Sequence, residues 1–314
     1  MINFIQLTDI HWCMSNSYRV DNVMDTLDSK FDQVKQYIKE YDVKAVLISG
    51  DLFDQKHGTK IPYTLTSRAI RQIRSLKIPV YAIPGNHDMN LNSIENHPLK
   101  LMFDAGILLR ASKEPVEILN TEVYLCGFDH KYQKDLKQFD IKFEIDKPLI
   151  GLIHLVMNKE PGMYYSEPQY GIEEIGINSP VDLFTCGHIH VSLPEMRNTR
   201  GQLYVQPGAF RRTNTASEEI SRIPQITLIS VDPTKSKRHS ISTKYLPIHC
   251  RIDIFKDWKR EIKSEKKEEL QGFLDRVQSM RTSNRMDTAT LIREANLEPE
   301  VREVLESYLS ESGN

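Results

Sequence analysis

The sequence predicts a layered α/β fold. Three observations carry that prediction. Short apolar, β-branched runs alternate with stretches of helical periodicity over residues 1–155. The helical stretches are long enough to connect neighbouring strands across a sheet face. Beyond residue 120 the apolar runs become denser and shorter, which points to further strands.

Phe4–Leu7 reads as the first strand. It lies in a short alternating stretch without a basic flank, so it is not expected to be a signal peptide. Phe31, Val34, Ile38 and Tyr41 recur at helical spacing and predict a helix over Phe31–Tyr41. Val43–Ser49 is an apolar run expected as a buried strand. Leu65, Ala69, Ile73 and Leu76 line one face of a helix over Tyr63–Leu76. Val80–Ile83 is a strand cut off by Pro84-Gly85. Strands follow at Val123–Gly127, Leu149–His154, Leu183–Cys186, Leu203–Gln206 and Gln225–Val231. The stretch between His154 and Val181 carries Tyr164, Tyr165 and Tyr170. It is long for a plain connection and is expected to be a functional loop.

After about Arg251 the composition changes. Lys259–Met280 is strongly charged, with Ile262, Leu270, Phe273, Leu274, Val277 and Met280 on a helical stripe. Glu298-Pro299-Glu300 resembles a helix start. The expected organisation is a core over residues 1–250 and a small helical appendage over 251–314. Its stripe packs on the core or receives a partner protein.

Bulk properties narrow the function. No run of about 18 apolar residues is present, so no membrane span is expected. Cys13, Cys126, Cys186 and Cys250 lack zinc spacing and suit a reducing cytoplasm. A net charge of −2 excludes a generally basic nucleic-acid binder. From Glu195 to Cys250, however, nine Lys/Arg face four Asp/Glu, a local +5. Arg197, Arg200, Arg211, Arg212, Lys235, Lys237, Arg238 and Lys244 supply most of it. Such a segment either holds phosphates or forms solvated loops.

The informative pattern is where Asp, His and Asn fall. Asp9 and His11 follow the first strand, and Asp51 follows Ser49-Gly50. Asn86 and His87 follow Pro84-Gly85, His154 closes its strand, and His188 and His190 follow Cys186-Gly187. Five strand ends thus deliver potential ligands to one sheet edge, where open α/β sheets bind ligands. Mixed oxygen and imidazole donors suit manganese, iron or zinc better than calcium. Asp51 has two oxygens with which to bridge two cations, and a pair of ions activates water and neutralises phosphate. His57, His97 and His130 lack motif context and are expected at the surface.

Asp9-Ile10-His11, Gly50-Asp51, Gly85-Asn86-His87-Asp88, His154 and Gly187-His188-Ile189-His190 together resemble the signature of calcineurin-like metallophosphoesterases. The resemblance covers residues 1–190. It implies a four-layer αββα β-sandwich and two divalent metal ions bridged by Asp51. Asp9, His11 and His190 would complete one half-site; Asn86, His154 and His188 the other. His87 would not bind metal but would act on the transition state or the leaving oxygen, oriented by Asp88.

Finer features resemble the SbcD-like nuclease family: Gly50-Asp51-Leu52-Phe53-Asp54, Ile78-Pro79-Val80 and Gln206-Pro207-Gly208-Ala209. That resemblance implies a manganese-dependent DNA exonuclease and endonuclease acting on ends and single strands. It also implies a homodimer and an SbcC-like ATPase partner bound through C-terminal helices. The chain departs from the pattern at Ala209, where a serine is usual, and in the short region after the core. Tyr164 and Tyr165 either stack on an unpaired base or pack in their loop. Two rival readings share the metal residues: a small-molecule phosphoesterase, such as a cyclic-nucleotide phosphodiesterase, and a non-enzymatic scaffold.

Overall fold

Alternation along the first strand sets the layers. In β1 (Ile2–Leu7), Phe4 and Gln6 face one way and Ile5 and Leu7 the other, and all four are buried. A strand covered on both faces belongs at the centre of a sandwich. The computed structural model describes residues 1–14, 19–54, 61–89, 93–130, 135–164, 167–213, 217–251 and 254–255. Apart from Arg251, Ile254 and Phe255, the appendage expected over 251–314 lies outside them.

The first sheet runs in the order β15 (Ile241–Pro247), β14 (Gln225–Val231), β1, β2 (Val43–Ile48), β3 (Val80–Ala82), β4 (Leu109–Arg110). From β1 to β4 the pairing is parallel. The second sheet runs β12 (Leu193–Arg197), β13 (Leu203–Gln206), β11 (Leu183–Gly187), β7 (Leu149–His154), β6 (Tyr124–Phe128), β5 (Val116–Glu117). Here β13, β11, β7 and β6 are parallel. Each sheet therefore gathers the carboxyl ends of several strands at one edge.

Three apolar layers hold the sheets. Leu27, Phe31 and Val34 of α1 (Val23–Glu40) and Leu65, Ala69 and Ile73 of α2 (Tyr63–Ser75) pack on Ile5, Leu7, Val46 and Ile48. Between the sheets, Phe4, Ala45 and Leu47 meet Leu125, Ile150, Leu152 and Leu183. Phe128, Leu149, Ile153 and Phe184 form the outer face of the second sheet. Among the described residues a 3-10 turn (Leu136–Phe139) and the Ile172–Ile175 segment cover it. The short helices α3 (Pro98–Asp104) and α4 (Ser217–Ser221) complete the described α-helices. None of the described helices is long and apolar enough to cross a membrane.

Two local expectations change. The first helix starts at Val23, not Phe31, because the Asn22 side chain caps it by accepting from the Met24 N–H at 3.0 Å. Its first turns carry Asp25 and Asp28, which pair with Arg68 of α2, and these charges mask the apolar stripe. The presumed loop after His154 folds as a small sheet of β8 (Met157–Asn158), β10 (Glu167–Gly171) and β9 (Gly162–Tyr164). Tyr165 and the Tyr164 side chain, and with them the stacking expectation, lie outside the described residues.

Candidate metal centre

Backbone geometry prepares the site before any side chain is considered. Asp9 (φ 51°), His11 (φ 50°), Asp51 (φ 53°) and His188 (φ 97°) all occupy the left-handed region without being glycine. Each such residue costs about 1–3 kcal/mol, and such strain clusters at functional sites. Neighbouring loops lock it in place: the His11 N–H donates to the Asp51 carbonyl at 3.1 Å and Trp12 to Leu52 at 2.8 Å. The glycines supply close approach. A methyl group on Gly85 would strike the Asp51 carboxylate, and one on Gly187 would strike the Thr8 hydroxyl and the Ser49 carbonyl.

The structure gathers the seven ligand-type residues into two adjoining groups. In one, His11 Nε2 lies 3.2 Å from His190 Nε2, 3.7 Å from Asp9 Oδ1 and 3.8 Å from Asp51 Oδ2. In the other, Asn86 Oδ1 is 3.0 Å from both His154 Nε2 and His188 Nδ1, and His154 Nε2 is 3.4 Å from Asp51 Oδ2. Asp51 touches both groups. Asp9 and Asp51 are almost wholly buried, as are His11 and His154.

The donor set fits divalent cations. Ring nitrogens facing each other at hydrogen-bond distance leave lone pairs without enough protons to share, and a cation resolves that conflict. The outer ring nitrogens are spoken for. His154 Nδ1 faces the Ser49 carbonyl at 2.7 Å, which only accepts. His190 Nδ1 meets Thr213 Oγ1 at 2.8 Å, and His188 Nε2 meets Glu167 Oε2 at 2.7 Å. The carbonyl and the carboxylate only accept, which turns His154 Nε2 and His188 Nδ1 inward as lone-pair donors in the neutral rings, the arrangement metal-ligating histidines adopt; the Thr213 hydroxyl suits either tautomer of His190.

Electrostatics run the same way. Burial would raise Asp9, but the hydrogen bond from His11 and the charges of His154 and His190 bring it down to about 2. Burial would lower His154, but the Asp51 carboxylate raises it to about 9. Burial and the neighbouring His11 charge push His190 down to about 4. Buried carboxylates held ionised among imidazoles form a cation-binding environment, in which a bound cation would take the place of the proton that Asp51 favours on His154.

His87 sits beside this cluster. Its backbone N–H donates to Asp51 Oδ1 at 2.8 Å, and its ring lies edge-on to His11 with centroids 4.7 Å apart. Asp88 does not orient it, which corrects the sequence expectation. The Asp88 carboxylate is buried beneath the loops and accepts from the N–H groups of Leu52, Phe53 and Gly85, each at 3.1 Å. The carboxylate facing His87 is Asp54, with Oδ1 3.3 Å from His87 Nδ1. Arg211 Nη2 donates to the other Asp54 oxygen at 2.5 Å. The Arg211 and His87 charges hold Asp54 well below the usual carboxylate range against its burial.

Other expectations need correction. His97 is buried and caps α3 through Nδ1, while His130 is half-buried, with Nδ1 3.1 Å from the His154 carbonyl and its ring 5.4 Å from His188. His57 lies outside the described residues. The basic segment is not one surface. Arg211 and Arg212 are buried; Arg212 donates to the Ile220 and Arg251 carbonyls. Lys237 pairs with Asp182 at 3.6 Å, and Arg238 donates to the Arg200 carbonyl. Asp182 precedes β11, so this group lies at the opposite strand ends, about 16 Å from the site at about 3.3 Å per residue.

Sequence reasoning missed Asp54 as a partner, Glu167, Thr213 and His130. Asp54 carried a signal, three residues beyond Asp51 on the same loop. Glu167 and Thr213 carried none, because chain folding alone brings them to the site.

The comparisons follow the geometry. A DNA double-strand break repair protein Mre11 from Methanocaldococcus jannaschii is 27% identical over 205 residues, 62% of this chain and 53% of that protein. The Mre11 of Methanosarcina acetivorans is 25% identical over 233 residues, 71% of this chain and 36% of its own. The chain thus spans about half or less of the curated relatives' length. A solved crystal structure superposes with a TM-score of 0.50 over 79% of this chain and 99% of its own, at 11% identity, which supports the fold alone. Residues 2–192, the stretch that ends just past His190, match the model for calcineurin-like phosphoesterases, and the chain belongs to that family.

Proposed function

We propose that the chain is a two-metal phosphodiesterase acting on DNA, the nuclease subunit of an SbcCD-like break-processing complex. The observation that carries the hydrolytic reading is the pair of Asp, Asn and His groups sharing Asp51, with His87 beside them and Asp54 3.3 Å from its Nδ1.

Two divalent ions bound there would neutralise the phosphate and lower the pKa of the attacking water. The first would be held by Asp9, His11, Asp51 and His190, the second by Asp51, Asn86, His154 and His188. The chain's own residues do the rest. The Asp51 contact fixes the His87 backbone, and Asp54 faces Nδ1, so the doubly protonated ring would keep its Nδ1 proton toward Asp54 and give its Nε2 proton to the departing oxygen. Arg211 holds the Asp54 carboxylate in place.

DNA as substrate rests on likeness to proteins named for double-strand break repair. Manganese, a homodimer, an SbcC-like ATPase bound through residues 251–314 and a cytoplasmic location rest on the same likeness. A small-molecule phosphoesterase, such as a cyclic-nucleotide phosphodiesterase, is the second reading. It gains from one observation: the group of exposed Arg200 and Arg238 with half-buried Lys237 lies at the far strand ends, away from the two ligand groups. Manganese-dependent cutting of duplex ends or single strands, assayed beside a cyclic nucleotide, separates the two. Turnover of the cyclic nucleotide without DNA cleavage would favour the second.

A further inference from the structure

Among the described ligand histidines, His188 has a carboxylate at hydrogen-bond distance from its outer nitrogen, whereas the carboxylate facing His11 Nδ1, that of Asp54, stands off at 3.7 Å. Glu167 opens β10, and its Oε2 lies 2.7 Å from His188 Nε2. The corresponding outer partners of His154 and His190 are a carbonyl and a hydroxyl. A carboxylate accepts, so Nε2 carries the proton and Nδ1 turns its lone pair toward Asn86 Oδ1 and His154 Nε2, at 3.0 and 3.2 Å.

We propose that Glu167 is a positioning residue for the second ion: it fixes the tautomer and ring orientation of His188 and strengthens Nδ1 as a donor. The proposal rests on the two-ion reading above. The fold supports it from both sides. His188 sits on left-handed backbone at φ 97°, so the ring needs support from its surroundings. Glu167 is tied to the strand that carries His154. Beyond that strand, the Tyr170 N–H donates to the Val156 carbonyl at 2.9 Å and Ile172 to Asn158 at 3.1 Å. Next to β10, β9 pairs Tyr164 with Glu167 itself. The small sheet after His154 thus returns a carboxylate to the same half-site. An anionic partner on a ligating imidazole raises its basicity, and losing such a partner typically costs 10–100-fold in metal affinity.

The test is a manganese titration of the full chain by calorimetry, with electron paramagnetic resonance reporting the coupled ion pair. Wild type should bind two ions. Glu167→Ala should weaken the second about 10–100-fold, leave the first unchanged and replace the coupled signal with a mononuclear one at limiting manganese. Glu167→Gln keeps an accepting oxygen without the charge and should fall between. The Glu167 side chain is 43% exposed, so neither variant should lower the melting temperature in chelator. Wild-type-like binding of both ions by both variants would overturn the role of Glu167 and leave the two-ion reading standing. Equal weakening of both ions with a lowered melting temperature would also overturn it. A wild type binding fewer than two ions would overturn both.

Discussion

Replacing Asp54 by Asn removes a charge and little else. The amide keeps an oxygen for Arg211, so the loop stays in place, while His87 loses its anionic partner. The unit pair at 3.3 Å between Asp54 Oδ1 and His87 Nδ1 is worth about 5 kcal/mol at an effective dielectric of about 20. Asp54 is 32% exposed and already shared with Arg211, so solvent and the guanidinium screen more than half of it. We take about 2 kcal/mol, or roughly 30-fold in kcat at 1.36 kcal/mol per decade. The role also dictates which substrates suffer. A proton donor matters when the departing oxygen is a poor leaving group, as in DNA or a cyclic nucleotide. It matters little for bis(p-nitrophenyl) phosphate, whose phenolate leaves unaided. Asp54 Oδ1 also lies 3.7 Å from His11 Nδ1, so the comparison is made at saturating manganese, where steady-state kinetics on both classes should show the 30-fold loss only for the first, with KM unchanged. Equal losses on both classes at full metal occupancy would refute the assignment of Asp54 to His87.

Three further outcomes follow from particular contacts. His87→Ala should abolish hydrolysis while retaining both ions, measured by metal analysis after desalting; loss of metal would make His87 a ligand. Gly187→Ala forces a methyl group against Thr8 and the Ser49 carbonyl. It should destabilise by about 1–3 kcal/mol in chelator, read by urea unfolding, and weaken the second ion in a manganese titration. Lys30 is buried against the Phe210 carbonyl, and burial together with the Arg222, Arg19 and Arg212 charges lowers it from 10.5 to about 7. Between those values the folded state binds fewer protons than the unfolded one. Stability should therefore rise with pH from 7 toward 10.5 and be lowest below 7. Lys30→Met should flatten that rise in urea unfolding, a change of at most about 5 kcal/mol across the window.

The sandwich and the clustering of the seven ligand-type residues were legible because both are written locally. Strands buried on two faces appear as apolar runs, and ligands placed at strand ends appear as Asp, Asn or His following a strand. What was not legible depends on distance in space. Asp88 adjoins His87 in sequence, yet its carboxylate turns under the loop to three backbone N–H groups, and Asp54 arrives from another strand end. The start of α1 was hidden because Asp25 and Asp28 find Arg68 on a different helix. The basic segment looked like one patch because composition does not distinguish a buried Arg211 from an exposed Arg238. Glu167 had no sequence signal at all, since a run read as a loop folds into the sheet that delivers it.

The central claim is that one carboxylate, Asp51, joins two ion sites. Crystals grown with manganese and measured at the manganese absorption edge test it directly. The account predicts two anomalous peaks flanking Asp51, one beside His11 and His190 and the other beside Asn86, His154 and His188. A single peak, or a peak away from Asp51, would contradict it.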